Sequence, residues 1–146
     1  MKGRMKKRRI ETEAIHFSEL FGEKGSMNVP IYQNSTFKQK IPGKWEEFTY
    51  TRTNNPTEEA LRKSIASMEG GKYSVIFGSG LAAIGAVMEL LNAGDHVVSS
   101  ADVYGGTHRL FTRFIEKRGI GFSFVETSNL EEVVAAIQPA TKLVYV

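Results

Sequence analysis

The feature that most constrains this chain is a regular alternation of short apolar runs and helical periodicities that begins near residue 73. Strand-like Tyr73–Phe77 leads through Gly78-Ser79-Gly80 into a helical pattern from Leu81 to Asn92, with Ile84, Val87, Met88 and Leu91 on one side. Gly94-Asp95 turns the chain into a second run, His96–Ser100, and Leu110, Phe111, Phe114 and Ile115 mark a helix that Gly119 stops. Phe122–Val125 is a third run. Ser128 or Asn129 then caps a helix carrying Leu130, Val133, Val134 and Ile137, Pro139 closes it, and Lys142–Val146 is the fourth run. Strands alternating with helices require crossover connections, so the pattern predicts an α/β fold with a mainly parallel sheet and helices on both faces.

Residues 11–53 lack sustained periodicity. They carry scattered turn formers (Gly22, Gly25, Pro30, Pro42, Gly43) and two short extended candidates, Ile31–Gln33 and Phe48–Arg52. Asn55 is a good N-cap and Pro56 suits the first helical position. Glu58 and Glu59 complement the dipole, Leu61, Ile65 and Met68 mark one face, and Gly70-Gly71 ends the helix. The expected organisation is a basic disordered tail over 1–10, an irregular N-terminal arm over 11–55, and the first, incomplete part of an α/β domain over 56–146. The chain stops on an apolar strand with an unpaired edge, so it is expected to be truncated, the amino-terminal portion of something longer, or else to pair with another chain.

Composition removes several classes of function. The balance of 41% hydrophobic and 24% charged residues is that of a soluble globular protein. The longest uncharged stretch, Tyr73 to Met88, is interrupted by Gly78, Gly80 and Gly85 and is too short for a membrane span, so no membrane association is expected. Cysteine is absent, which excludes disulfides, thiolate metal sites and thiol nucleophiles and is compatible with a cytoplasmic setting. His16, His96 and His108 show no ligand spacing, so no metal is expected and structural or solvated roles are. The net charge of +3 comes from Lys2, Arg4, Lys6, Lys7, Arg8 and Arg9; the rest of the chain is net acidic. Such a run can bind nucleic acid or anionic surfaces, but a solvated, frayed terminus is the commoner outcome, and no nucleic-acid partner is expected. No apolar segment follows it, so it is not read as a secretory signal.

Three loops carry chemistry. Gly78-Ser79-Gly80-Leu81-Ala82-Ala83 joins a strand to a helix, where free N–H groups and the helix dipole bind an anion and glycine lets a phosphate approach. The same run fits the G-x-G-x-x-A dinucleotide pattern, with Asp102 as the ribose-binding acid, or a glycine turn serving close helix–strand packing. Tyr104-Gly105-Gly106-Thr107 follows the second strand at the sheet edge where open α/β proteins place ligands, so the two loops are expected to meet. Tyr104 offers an aromatic face and a phenol for proton transfer. Arg109, one turn later, offers a planar fork for a carboxylate. Tyr50-Thr51-Arg52 places tyrosine and arginine on one side of an extended segment, where they could clamp a phosphate.

These segments recur together in one family. Pro30-Ile31-Tyr32-Gln33-Asn34-Ser35-Thr36-Phe37, Tyr50-Thr51-Arg52 with Asn55-Pro56-Thr57, Phe77–Ala83, Ala93-Gly94-Asp95 and Asp102–Thr107 occur in the order and approximate spacing of the Cys/Met-metabolism pyridoxal-phosphate enzymes. Over about residues 12–146 the chain resembles the amino-terminal part of these trans-sulfuration enzymes, and the shared motifs outweigh the nicotinamide reading. The resemblance implies a fold-type I, aminotransferase-like architecture and a homo-oligomer, dimer or tetramer, whose arm crosses to a neighbouring subunit. It implies that Gly80 and Leu81 give backbone N–H groups to the phosphate of pyridoxal 5'-phosphate, and that Tyr104 stacks on the pyridine ring and assists proton transfer. Tyr50 and Arg52 would bind the phosphate of the partner subunit's cofactor, and Arg109 would lie near a small sulfur amino acid substrate. Leu81 stands where many members carry methionine. The family's Schiff-base lysine and pyridine-nitrogen acid are expected beyond Val146, which would leave the isolated chain inactive. The activity implied is γ-elimination on cystathionine, with γ-replacement of the synthase or O-acetylhomoserine sulfhydrylase kind as the alternative. A non-catalytic fragment that only associates with other subunits is the reading from a different class. Methionine γ-lyases commonly carry cysteine where Gly106 stands, which disfavours that activity here.

Overall fold

A computed structural model describes residues 9–16, 26 and 28–146. The basic residues Lys2 to Arg8 and the turn formers Gly22 and Gly25 lie outside the described residues. The chain divides into two compact units, the first through Ile76 and the second from Phe77 to Val146.

In the first unit, helix α2 (Pro56–Met68) begins as its sequence dictates. Asn55 is extended (φ −142°), its side chain accepts from the Thr57 N–H at 2.8 Å, and Pro56 occupies the first turn. Gly70 follows the helix at φ +65°, a left-handed conformation that glycine adopts without strain. The buried face differs from expectation, because Ala60 and Ala66 are buried while Leu61 is half exposed. Small residues allow close approach there, and the larger side chains sit at its margin. The irregular reading of the arm is corrected at α1 (Ile10–His16), a short helix with Glu11 and Glu13 in its first turn. The Glu13 carboxylate accepts a hydrogen bond from the Ser67 hydroxyl of α2, an anchor that no local pattern announces. Ile31–Gln33 and Phe48–Arg52 form no strands; Thr36 and Tyr50 make an isolated antiparallel bridge.

The second unit is a three-layered α/β piece. Strands β1 (His96–Ser100), β2 (Gly121–Val125) and β3 (Thr141–Tyr145) form a parallel sheet in the order β2-β1-β3. The connection from β1 to β2 moves one way across the sheet and that from β2 to β3 moves back. Right-handed crossovers therefore put α4 (Gly105–Leu110) and α5 (Leu130–Ala136) on opposite faces. Helix α3 (Gly80–Met88) contributes Met88 to a core with Leu91, Val97, Phe111, Ile115 and Ile120. Phe111 is fully buried, stacked on Phe122 at 4.8 Å between ring centroids and edge-on to Tyr145 at 5.4 Å. α5 packs lightly; Leu130, Val134 and Ile137, expected to face inward, are 74%, 69% and 51% exposed.

Two expectations about elements change. Tyr73–Phe77 is not a strand, because no strand among the described residues pairs with it, and Tyr73 and Val75 stay exposed. The helix expected around Leu110 starts earlier, at Gly105, and widens into a π-helical turn over Phe111–Ile115 that continues as a 3₁₀ turn over Glu116–Arg118. The widened turn aims Phe111 and Ile115 into the core and leaves Phe114 63% exposed. Gly119 stops it at φ +83°. His96 is structural: buried at the start of β1, its Nδ1 meets the Thr141 hydroxyl at 2.9 Å and its Nε2 the Ser123 hydroxyl at 3.0 Å, tying the three strands together. Among the described residues no helix is long and apolar enough to cross a membrane.

Candidate cofactor site

A cavity of the second unit lies at the carboxyl end of β1. It measures about 700 Å³, and its lining includes Ser79, Gly80, Leu81, Asp102, Tyr104 and Thr107. The two loops expected to meet therefore do so. At the start of α3, Ser79 is extended (φ −158°) and its hydroxyl accepts from the Ala82 N–H at 3.2 Å, which caps the helix. Among the described residues the N–H groups of Gly80 and Leu81 find no acceptor. A Cβ at Gly78 or Gly80 would meet nothing within 4 Å, so the approach is open. Unpaired donors, a helix dipole and open space are what a phosphate monoester needs.

Tyr104 precedes α4 and is 77% exposed; its carbonyl accepts from the N–H groups of Thr107 and His108 at 2.8 and 3.1 Å, and its phenol has no hydrogen-bond partner among the described residues. Its ring lies over Gly106, where a Cβ would fall 2.4 Å from Cε1. Thr107, not singled out from sequence, is buried in the same wall; its position just after paired glycines is the only local signal. Asp102 lines the cavity and its N–H donates to the Ser100 hydroxyl at 3.3 Å. Arg109 is exposed on α4 and does not line the cavity. The volume suits a planar cofactor of pyridoxal phosphate size. The residues present fit that group: Gly80 and Leu81 offer free N–H donors and Tyr104 an aromatic face.

Tyr50 and Arg52 belong to the first unit, where the Arg52 guanidinium carbon lies 5.0 Å from the centroid of the Tyr50 ring. A turn, not strand periodicity, brings them together. The Tyr50 carbonyl accepts from the N–H groups of Thr53 and Asn54 at 2.9 and 3.1 Å and from the Thr53 hydroxyl at 2.7 Å.

Known proteins resemble this chain along most of its length. The model of the Cys/Met metabolism PLP-dependent enzymes matches residues 11–146. The chain is 48% identical over 137 residues to a cystathionine gamma-lyase of Bacillus subtilis, covering 93% of this chain and 36% of that protein. It is 49% identical over 121 residues to a cystathionine beta-lyase of Lactococcus lactis, covering 83% and 32%. A crystal structure of cystathionine gamma-lyase from Lactobacillus plantarum complexed with L-serine superposes with a TM-score of 0.84 at 41% identity, covering 94% of this chain and 36% of that one. The chain thus spans about a third of the length of these relatives. With the family model matched from Glu11 to the last residue, the chain belongs to the pyridoxal-phosphate-dependent enzymes of cysteine and methionine metabolism.

Proposed function

We propose that this chain acts as the amino-terminal section of a trans-sulfuration enzyme that carries out γ-elimination on cystathionine, in a cytoplasmic homotetramer. The observation that carries the cofactor part of this reading is the open amino end of α3, whose two unpaired N–H groups share one cavity with Tyr104. Gly80 and Leu81 bind the phosphate through backbone donors, so the side chain at position 81 is free to vary. Tyr104 packs its ring on the pyridine, and its phenol oxygen holds or moves a proton of the substrate. Arg109, exposed on α4 outside the cavity lining, lies near the substrate, where its guanidinium fork can reach a carboxylate. Tyr50 and Arg52 reach the phosphate of a neighbouring subunit's cofactor. Pyridoxal phosphate, when bound, supplies the electron sink for charge developing on the substrate.

The relatives' names include both a γ-lyase and a β-lyase at similar identity, so the bond cleaved is the finer part of the proposal. β-Elimination, absent from the sequence-based alternatives, joins γ-replacement as a competitor. In the assembled enzyme, Arg52→Ala subunits mixed with subunits lacking the cofactor-bonding lysine should regain activity, because one interface then carries both intact halves. No recovery in verified mixed oligomers overturns the arm's role in trans. Product analysis with cystathionine identifies the bond: 2-oxobutanoate supports γ-elimination, pyruvate refutes it. The 146-residue chain alone should show no stoichiometric pyridoxyl-lysine after borohydride treatment; a single fully modified lysine would refute the placement of that lysine beyond Val146.

A further inference from the structure

The turn that carries Tyr50 and Arg52 is fastened by the residue between them. The Thr51 N–H donates to the Ser35 carbonyl at 2.9 Å. Its hydroxyl donates to the Asn34 carbonyl at 2.5 Å and accepts from Asn55 Nδ2 at 3.1 Å. Asn55 is 5% exposed and fully committed, since Nδ2 also donates to the Tyr32 carbonyl at 3.1 Å and Oδ1 caps α2 through the Thr57 N–H at 2.8 Å. The Thr57 hydroxyl accepts from the Tyr32 N–H at 2.9 Å and donates to the Pro30 carbonyl at 3.1 Å. Residues 30–36, the turn and the start of α2 are therefore knotted together.

Tyr50 and Arg52 have no such ties. Apart from their mutual ring contact, neither side chain has a hydrogen bond or ion pair among the described residues. Their aim depends on the backbone from which they spring, and a long guanidinium arm magnifies any tilt of that backbone. We infer that Thr51 is a positioning residue for phosphate binding, its hydroxyl locked between Asn34 and Asn55 so that Tyr50 and Arg52 point as a pair. This inference rests on the clamp reading of Tyr50 and Arg52.

Thr51→Val keeps the shape and removes the hydroxyl, leaving the Asn34 carbonyl and one Asn55 amide hydrogen without their partner. A lost hydrogen bond of this kind corresponds to binding weakened about 2- to 10-fold. The test measures binding of pyridoxal phosphate and of pyridoxal, which lacks the phosphate, to cofactor-stripped assembled enzyme by equilibrium dialysis. Thr51→Val should weaken pyridoxal phosphate alone, and Thr51→Ser should restore it. Asn55→Asp, which keeps the cap oxygen and loses both amide donors, should act like Thr51→Val. Arg52→Ala separates the two ideas: if it leaves the phosphate preference intact, the clamp reading fails. If it abolishes the preference while Thr51→Val does not alter it, the positioning role of Thr51 is overturned. Equal loss of both ligands in Thr51→Val and Asn55→Asp overturns it as well, since a general structural role would act on both.

Discussion

Gly106→Ala should leave folding intact and still damage catalysis. A Cβ at this position would stand 2.4 Å from Tyr104 Cε1, 3.0 Å from Cδ1 and 3.2 Å from Cζ, whereas ordinary contact starts at 3.4 Å. The ring must give by about 1 Å, because the backbone of α4 is held by its own hydrogen bonds. At 77% exposure the ring can rotate away at little cost. Alanine also has better helix propensity than glycine, so stability should be unchanged or higher by up to ~1 kcal/mol. A displacement of about 1 Å at a group proposed to meet both cofactor and substrate can lower kcat/KM by about 100-fold. The assay pairs kcat/KM for cystathionine with a thermal unfolding curve of the same assembled enzyme. Wild-type kcat/KM in a variant whose ring has moved would refute the role given to Tyr104; a marked drop in Tm would refute the claim that the ring yields freely.

Other perturbations probe separate parts of the molecule. Tyr104→Phe keeps the aromatic face and removes the phenol, so turnover should fall while pyridoxal phosphate affinity holds, a split that steady-state kinetics and cofactor titration read directly. Phe111→Ala removes the fully buried ring between Phe122 and Tyr145 and should cost about 3–5 kcal/mol, read as a lower urea midpoint. Glu126 accepts from the Ser128 N–H at 3.1 Å and from its hydroxyl at 3.0 Å, and these bonds, the backbone one first, hold its carboxyl below the usual carboxylate range. Its stabilising effect is thus present above that range and lost as pH falls through the lowered value; Glu126→Gln should flatten this small part of the acid limb, and an unchanged acid profile would refute it.

The sequence by itself determined the features that depend on neighbours along the chain. Asn55-Pro56 starts α2, Gly119 ends the turn after Ile115 with a left-handed residue, Asn129 caps α5, and three of the four apolar runs became strands. The open amino end of α3 was legible for the same reason, since a glycine-rich turn ahead of a helix announces free N–H groups locally. Tertiary structure decided what depends on partners far away in sequence. Tyr73–Phe77 has strand composition and no ladder, because a strand exists only when another chain segment completes its hydrogen bonds. Leu130 and Val134 of α5 have the right spacing and stay exposed, because burial requires a surface to cover them. Arg52 meets Tyr50 through a turn whose geometry is held by Thr51, Asn34 and Asn55, and those contacts join residues that sequence spacing leaves unrelated. Periodicity reports which face a residue takes; only packing and long-range hydrogen bonding decide what that face meets.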